Sequence, residues 1–317
     1  MLSSSLSLLV ILLASATTAQ DPAAQIITSC SQPDTFALTF DDGPHIYTAK
    51  LLATLRAAGA KATFFVNGQN LGQIENYGDV LNQMLCDGHQ VASHTYAFFF
   101  PTHLITSWAD LTLSFSHKDL TTLSEAQMIK EMTDLDDKLL QGSSIGLRPT
   151  YMRPPFFNTN DLVLKVMGKL GYKVIHASVD TKDFEHTTEG TNGKAVSNLE
   201  QGVRSGGTIA LMHDIHSSTV DLLVPKALEI LKRANKKAVT VGECLGDAKQ
   251  NWYSGGSGSP SGKGCGQSKR RSDDDAGEAD DTGKNRTEDD RKSSDDKPVG
   301  GYAVRQSASG ENSTAEA

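Results

Sequence analysis

Five short segments carry the side chains that can do chemistry. Asp41 and Asp42 stand together in Asp41-Asp42-Gly43-Pro44, His94 follows Ser93, Arg153 precedes Pro154-Pro155, Asp180 follows Val179, and His213-Asp214 close the run Ile209-Ala210-Leu211-Met212. Adjacent residues of an extended segment point to opposite faces, so one carboxylate can bind a cation while its neighbour faces substrate or water. Alone, Asp-Asp-Gly-Pro reads as a turn, since all four residue types favour one. Asp42 with imidazoles would make the three-ligand, water-open arrangement of a hydrolytic zinc site, and His94 is the nearest candidate imidazole. His213 shares a face with Ile209 and Leu211. By itself it reads as a hydrogen-bonded core histidine, but Asp180, from another segment end, can orient and tune it as a general acid. Arg153, stiffened by two prolines, can aim a guanidinium at Asp41 and keep it ionised, and alone it reads as a structural ion pair.

These residues need elements to bring them to one place. The pattern predicts strands over 35–40, 62–66 and 90–93, a strand running into Arg153, and further strands over 173–178, 208–212 and 238–241. Helical periodicity falls between them, over 47–58, 80–85, 125–140, 161–170, 195–204 and 222–234. Strand-then-helix alternation calls for a parallel sheet with crossover helices, an α/β architecture either closed into a barrel or left open. In both, functional groups gather at the C-terminal strand ends, where all five segments lie.

Composition narrows the classes. The chain has 317 residues, 30 Lys and Arg against 38 Asp and Glu, and a net charge of −8. An acidic chain without a basic stripe is not a nucleic-acid binder, whose affinity comes from neutralising phosphates. The only apolar run of membrane character, Leu6–Ala14, is too short to span a bilayer and precedes small residues up to Ala19. It reads as a secretory signal over residues 1–19, which implies export without a membrane span. From Ser254 the chain turns to Gly, Ser and mixed charge, so residues 254–317 are expected to be a disordered tail after a catalytic domain at 20–253. Sequons at Asn285 and Asn312 lie in that tail. Four cysteines are too few and too spread for a small disulfide scaffold. Cys30 before the first strand and Cys244 after the last can tie the domain's ends together, Cys86 reads as simply buried, and Cys265 belongs to the tail. Among the other histidines, His89 is expected to order the turn before its strand, His45 to flank the Asp42 turn and His176 to be core. His186 and His216 fall near the rim.

Taken together, the segments resemble the polysaccharide deacetylase family, carbohydrate esterase family four, over about residues 35–245. The matching stretches are Thr39-Phe40-Asp41-Asp42-Gly43-Pro44, Ser93-His94-Thr95-Tyr96, Arg153-Pro154-Pro155-Phe156, Asp180-Thr181-Lys182-Asp183-Phe184 and Leu211-Met212-His213. Gly88-His89-Gln90 and Val241-Gly242-Glu243-Cys244-Leu245-Gly246 look most like fungal chitin deacetylases within it. The resemblance implies a distorted (β/α) barrel with Asp41 as general base and Asp42 plus two histidines as ligands of Zn2+ or another divalent ion such as Co2+. It implies His213 as general acid backed by Asp180, Arg153 positioning Asp41, the Phe156 N–H aiding the oxyanion, and Leu211 and Phe184 receiving the acetyl methyl. The family more often has Trp at position 184 and Tyr at 156. Both changes keep an apolar ring.

One departure breaks the pattern. The family sets its ligand histidines four residues apart, but Phe98 stands four after His94, and the family text resumes at Ser116-His117-Lys118. Residues 97–115 contain Phe98, Phe99, Phe100, Trp108 and Phe115 with a single charge at Asp110, a composition unlike a solvated loop. They read as an insertion or a translated intron that keeps the reading frame. Splicing them out would restore His94-Thr95-Tyr96-Ser116-His117. A lid loop that lets His94 and His117 meet is the alternative, since closure entropy grows only logarithmically with loop length. His117 is the expected second imidazole, ahead of His103. The expectation is a secreted, monomeric, metal-dependent chitin deacetylase. Acetylxylan esterase, peptidoglycan deacetylase and an inactive carbohydrate-binding homologue are its rivals.

Overall fold

The computed structural model describes residues 22–96, 117–142, 145–255 and Cys265, all within the unit Met1–Gln267. The signal at 1–19, the interruption at 97–115 and nearly all of the tail lie outside the described residues. The strands are β1 (Ile26–Ile27), β2 (Thr35–Asp41), β3 (Thr63–Val66), β4 (Gln90–Ser93), β5 (Arg148–Pro149), β6 (Tyr151–Met152), β7 (Lys173–Ile175), β8 (Val179–Asp180), β9 (Ile209–His213), β10 (Lys237–Val239) and β11 (Tyr253–Ser254). Nine form one sheet in the order β1-β7-β6-β4-β3-β2-β9-β8, with β10 beside the start of β2. Every pairing in that sheet is parallel, and β5 with β11 makes a separate antiparallel pair.

The strand expected over 173–178 ends at Ile175, and a separate strand, β8, follows at Val179–Asp180. The chain leaves β7, which lies just inside the edge strand β1, and forms β8 against β9 at the opposite edge, curling the sheet into the expected distorted barrel. The helices are α1 (Thr48–Ala57), α2 (Gly78–Cys86), α3 (Glu125–Asp137), α4 (Asp161–Lys169), α5 (Glu189–Arg204), α6 (Val224–Arg233) and the short α7 (Val241–Cys244). Ser124, Asn160 and Thr240 cap α3, α4 and α7 by accepting main-chain N–H bonds, which satisfies donors the helix cannot. Helix α5 begins six residues before the periodicity suggests, because Thr188 and Thr191 form a capping box.

Strand parity organises the interior. Phe36, Leu38, Phe40, Phe64, Val66, Val91, Ala210 and Met212 pack outward under the helices, with Leu51, Leu55, Leu81 and Leu231. Ala37, Phe65, Ala92, Tyr151, Ile175 and Ile209 face inward and fill the lower barrel with Val241, Cys244 and Trp252. Continuing the inward parity upward gives Thr39 and Asp41 on β2, His94 after β4, Arg153 after β6, and Leu211 and His213 on β9. Alternation along these four strands therefore delivers the polar residues to one mouth.

Cys30 and Cys244 are disulfide-bonded, with Cα atoms 4.9 Å apart. Cys86 is half-buried and bonded to Cys265, so the expectation of a merely buried Cys86 is corrected. Cys265 belongs to a segment whose composition gives no hint that it reaches α2.

Candidate active site

At the mouth lies a cavity of about 390 Å³, lined by all ten residues singled out from the sequence: Asp41, Asp42, His94, His117, Arg153, Phe156, Asp180, Phe184, Leu211 and His213. Pro154, Phe157 and His216 complete its wall.

Arg153 is the hub of one side. Its guanidinium is fully buried and donates from Nη1 to Asp41 Oδ1 and to Thr39 Oγ1, both at 2.7 Å, and from Nε and Nη2 to the carbonyls of Ile175 and His176. The Phe65 ring lies 4.2 Å from its central carbon. Burial pushes Asp41 up to about 6, against the lowering pull of Arg153 and His213. The main-chain carbonyl of Arg153 also accepts from His94 Nδ1 at 2.7 Å. That bond fixes the proton on Nδ1 and leaves the Nε2 lone pair free to bind a cation.

His94 Nε2 and His117 Nε2 are 2.8 Å apart, and Asp42 Oδ1 stands 3.8 Å from the first and 3.7 Å from the second. Asp42 Oδ1 is buried without a hydrogen bond, and the three ligand atoms lie within 4.8 Å of one another. Burial lowers the proton affinity of both histidines, so they are neutral bases. One carboxylate and two neutral imidazoles meeting around an orphaned buried oxygen fit a divalent cation of the zinc class. His117 reaches this point despite its distance in sequence. Asp119 accepts from Thr121 N and from Asn158 Nδ2, and Leu120 is sunk in the core beneath α3 and α4.

His213 faces the ligands from β9. Its Nδ1 donates to Asp183 Oδ1 at 2.8 Å and its backbone N–H to Asp183 Oδ2 at 2.7 Å. Burial alone would lower His213, but the bond and charge of Asp183, with Asp42 and Asp41 behind it, lift it to about 9. His213 is therefore a charged donor at neutral pH. The expectation that Asp180 backs His213 is corrected. Asp180 is exposed and accepts from the backbone N–H of Lys182. Lys182 adopts a left-handed φ of 53°, which turns the chain so that the next residue, Asp183, swings under the imidazole.

Phe156 has φ 58° and Phe157 φ 58°, backbone conformations rare for aromatic residues and found where a surrounding structure imposes them. The Phe156 ring meets His117 edge-on at 4.4 Å, and the Phe184 ring meets His213 edge-on at 5.5 Å. Between these rings Leu211 offers an apolar floor only 7% exposed. Phe157, which also lies 5.4 Å from the Arg153 carbon, was not singled out by the sequence pattern. Its neighbour was chosen only through the motif.

A polysaccharide deacetylase profile matches residues 28–175. Across 235 residues the sequence is 48% identical to a chitin deacetylase from Pestalotiopsis sp, covering 74% of this chain and 72% of that protein. The chain belongs to the polysaccharide deacetylase family. This polysaccharide deacetylase is also 48% identical over 232 residues to a probable peptidoglycan-N-acetylglucosamine deacetylase from Arthroderma benhamiae, and spans about half (48%) of that protein's length. The solved chitin deacetylase from Colletotrichum lindemuthianum matches with a TM-score of 0.65 at 36% identity, covering 74% of this chain and 97% of that one. Polysaccharide deacetylases are hydrolases of acetyl groups, and the cavity offers that reaction a proton acceptor, a charged proton donor and a cation cradle.

Proposed function

We propose that this polysaccharide deacetylase is a secreted, metal-dependent enzyme that removes the N-acetyl groups of N-acetylglucosamine units in chitin, releasing acetate and leaving a free amine. The observation that carries the reading is the convergence of Asp42, His94 and His117 on one point, with Asp41 and His213 lining the same cavity. Relatives named as chitin deacetylases support the choice of substrate.

Asp42, His94 and His117 would hold the cation. When bound, Zn2+ or Co2+ supplies Lewis acidity and makes water a stronger nucleophile near neutral pH. Asp41 accepts the proton of the attacking water, and Arg153 keeps its carboxylate aimed. Developing charge on the acetyl oxygen is met by the Phe156 N–H. Leu211 and Phe184 seat the acetyl methyl. His213 passes its proton to the departing nitrogen while Asp183 fixes the ring, so one proton enters at Asp41 and one leaves at His213. The two disulfides suit an oxidising compartment, in keeping with export.

Acetate release by the purified, zinc-loaded chain from chitin oligomers, peptidoglycan and acetylxylan, measured side by side, tests the reading. Chitin oligomers should be the best substrate. Preferred turnover of acetylxylan or peptidoglycan would reassign the substrate, and metal binding without acetate release from any of them would make the chain an inactive carbohydrate-binding homologue.

A further inference from the structure

We propose that Asp214 is a positioning residue, holding the turn that presents Asp42 against the strand end that presents His213. The inference rests on the metal reading of Asp42, His94 and His117, and extends it to a residue that does not line the cavity.

Asp214 follows His213 directly, so it points away from the cavity. It is 1% exposed. Its carboxylate covers Gly43 so closely that a methyl group there would lie 2.3 Å from both oxygens, which is why the residue after Asp42 has no side chain. The Thr48 hydroxyl donates to Asp214 Oδ2 and accepts from the backbone N–H of His45 at 2.8 Å. Asp214 thus holds the loop at Gly43 and, through Thr48, at His45. On the opposite side the Gly43 carbonyl accepts from Asn67 N at 3.0 Å, and the Asn67 side chain donates to the His94 carbonyl at 2.6 Å. The turn is clamped between the strand end of His94 and that of His213.

The clamp has a local task. Asp42 has φ 74°, a left-handed conformation that a non-glycine residue keeps only when its surroundings enforce it. Without Asp214 and Thr48 the loop from Asp42 to Thr48 is free to relax that angle, and the Asp42 oxygen then leaves the point it shares with the two imidazoles. The two histidines alone remain as ligands.

Titration of the purified full-length chain with Co2+, followed by the visible absorption of the bound ion and by calorimetry, provides the test. Asp214→Ala should weaken Co2+ binding roughly 10- to 100-fold, the scale typical of losing a residue that orients a ligand, and alter the absorption bands. Asp214→Asn, which keeps an acceptor for Thr48 and the same volume, should restore most of the affinity. Thr48→Val, nearly isosteric, should also weaken binding and decides the matter if Asp214→Ala does not fold. Wild-type affinity and absorption in both Asp214→Ala and Thr48→Val would overturn the inference. Absence of Co2+ binding by the wild-type chain would instead overturn the metal reading itself.

Discussion

Asp183 holds His213 at two points, accepting the imidazole N–H through one oxygen and the backbone N–H of the same residue through the other. Thr219 donates a third bond to it at 2.6 Å, and Asp183 is fully buried. The arrangement fixes the ring's tautomer, its angle and its charge together. Because Asp183 raises His213 to about 9, the donor form is present below that pH and is lost as pH rises through it.

Asp183→Asn should therefore lower kcat on chitin oligomers by about 100-fold, the scale of general acid catalysis. It should also move the alkaline limb of the kcat profile to lower pH. Asp180→Asn, at an exposed carboxylate, should leave that limb where it is. A profile that shifts in the Asp180 variant and not in the Asp183 variant would return the role to Asp180.

The contrast between these two aspartates shows where sequence reasoning stops. Strand ends are legible in the local pattern, and they gather Asp41, His94, Arg153 and His213 at one rim, with Leu211 and His213 on a shared face. Asp180 ends a strand too, so its place at the rim suggests it as the partner of His213. Asp183 acts through a turn made by a left-handed lysine, and such a turn leaves no periodic trace. The Cys86–Cys265 bond, 179 residues apart in sequence, has no local signature either. Asp214 reads as the tail of a strand until the carboxylate is found over Gly43. The break between β7 and β8 has no local signature because it serves barrel closure, a property of the whole sheet.

Metal binding should survive the interruption of the histidine motif. His94 and His117 stand together, so the chain as written should bind one Zn2+ or Co2+, and the form lacking residues 97–115 should bind one as well. His117→Ala should reduce affinity in both forms by at least about 10-fold. Metal analysis of the four proteins checks this. Loss of binding by the full chain alone would show that the nineteen residues dismantle the site. Whether those residues are a translated intron is a separate question, decided by transcripts: reads that skip the 57 nucleotides support it, and reads that uniformly contain them remove it.

The Cys30–Cys244 bridge closes the barrel at the end opposite the cavity, joining the segment before β2 to α7. Ser31 N and Gln32 N also donate to the Cys244 carbonyl, at 3.0 and 2.9 Å, so the contact has a non-covalent part. Replacing both cysteines by alanine should cost about 2–4 kcal/mol of unfolding free energy. Denaturant unfolding measures it. Co2+ affinity should be unchanged because no cavity residue touches the bridge, and a parallel fall in affinity would mean that this end of the barrel supports the ligands.

His89 should set part of the chain's acid sensitivity. It is 3% exposed, accepts the Ala62 N–H through Nδ1 at 3.1 Å, and lies edge-on to the Phe64 ring at 5.5 Å. Burial lowers its pKa from 6.5 to about 4, so the folded chain keeps it neutral where the unfolded chain would protonate it. Its contribution to stability is whole above pH 6.5 and is lost as pH falls through 4, a loss of about 3 kcal/mol at one pKa unit per 1.4 kcal/mol. Buried carboxylates such as Asp183 also titrate in acid, so wild-type stability alone does not isolate the histidine. His89→Asn does, because its side-chain oxygen can accept the Ala62 N–H and it has no proton to gain. Between pH 7 and pH 4 the variant should lose about 3 kcal/mol less than the wild type in denaturant unfolding, the other groups cancelling as distant, independent sites. Equal losses in the two proteins would mean that the His89 ring is protonated in the folded chain, with a partner for Nε2 inside the barrel wall.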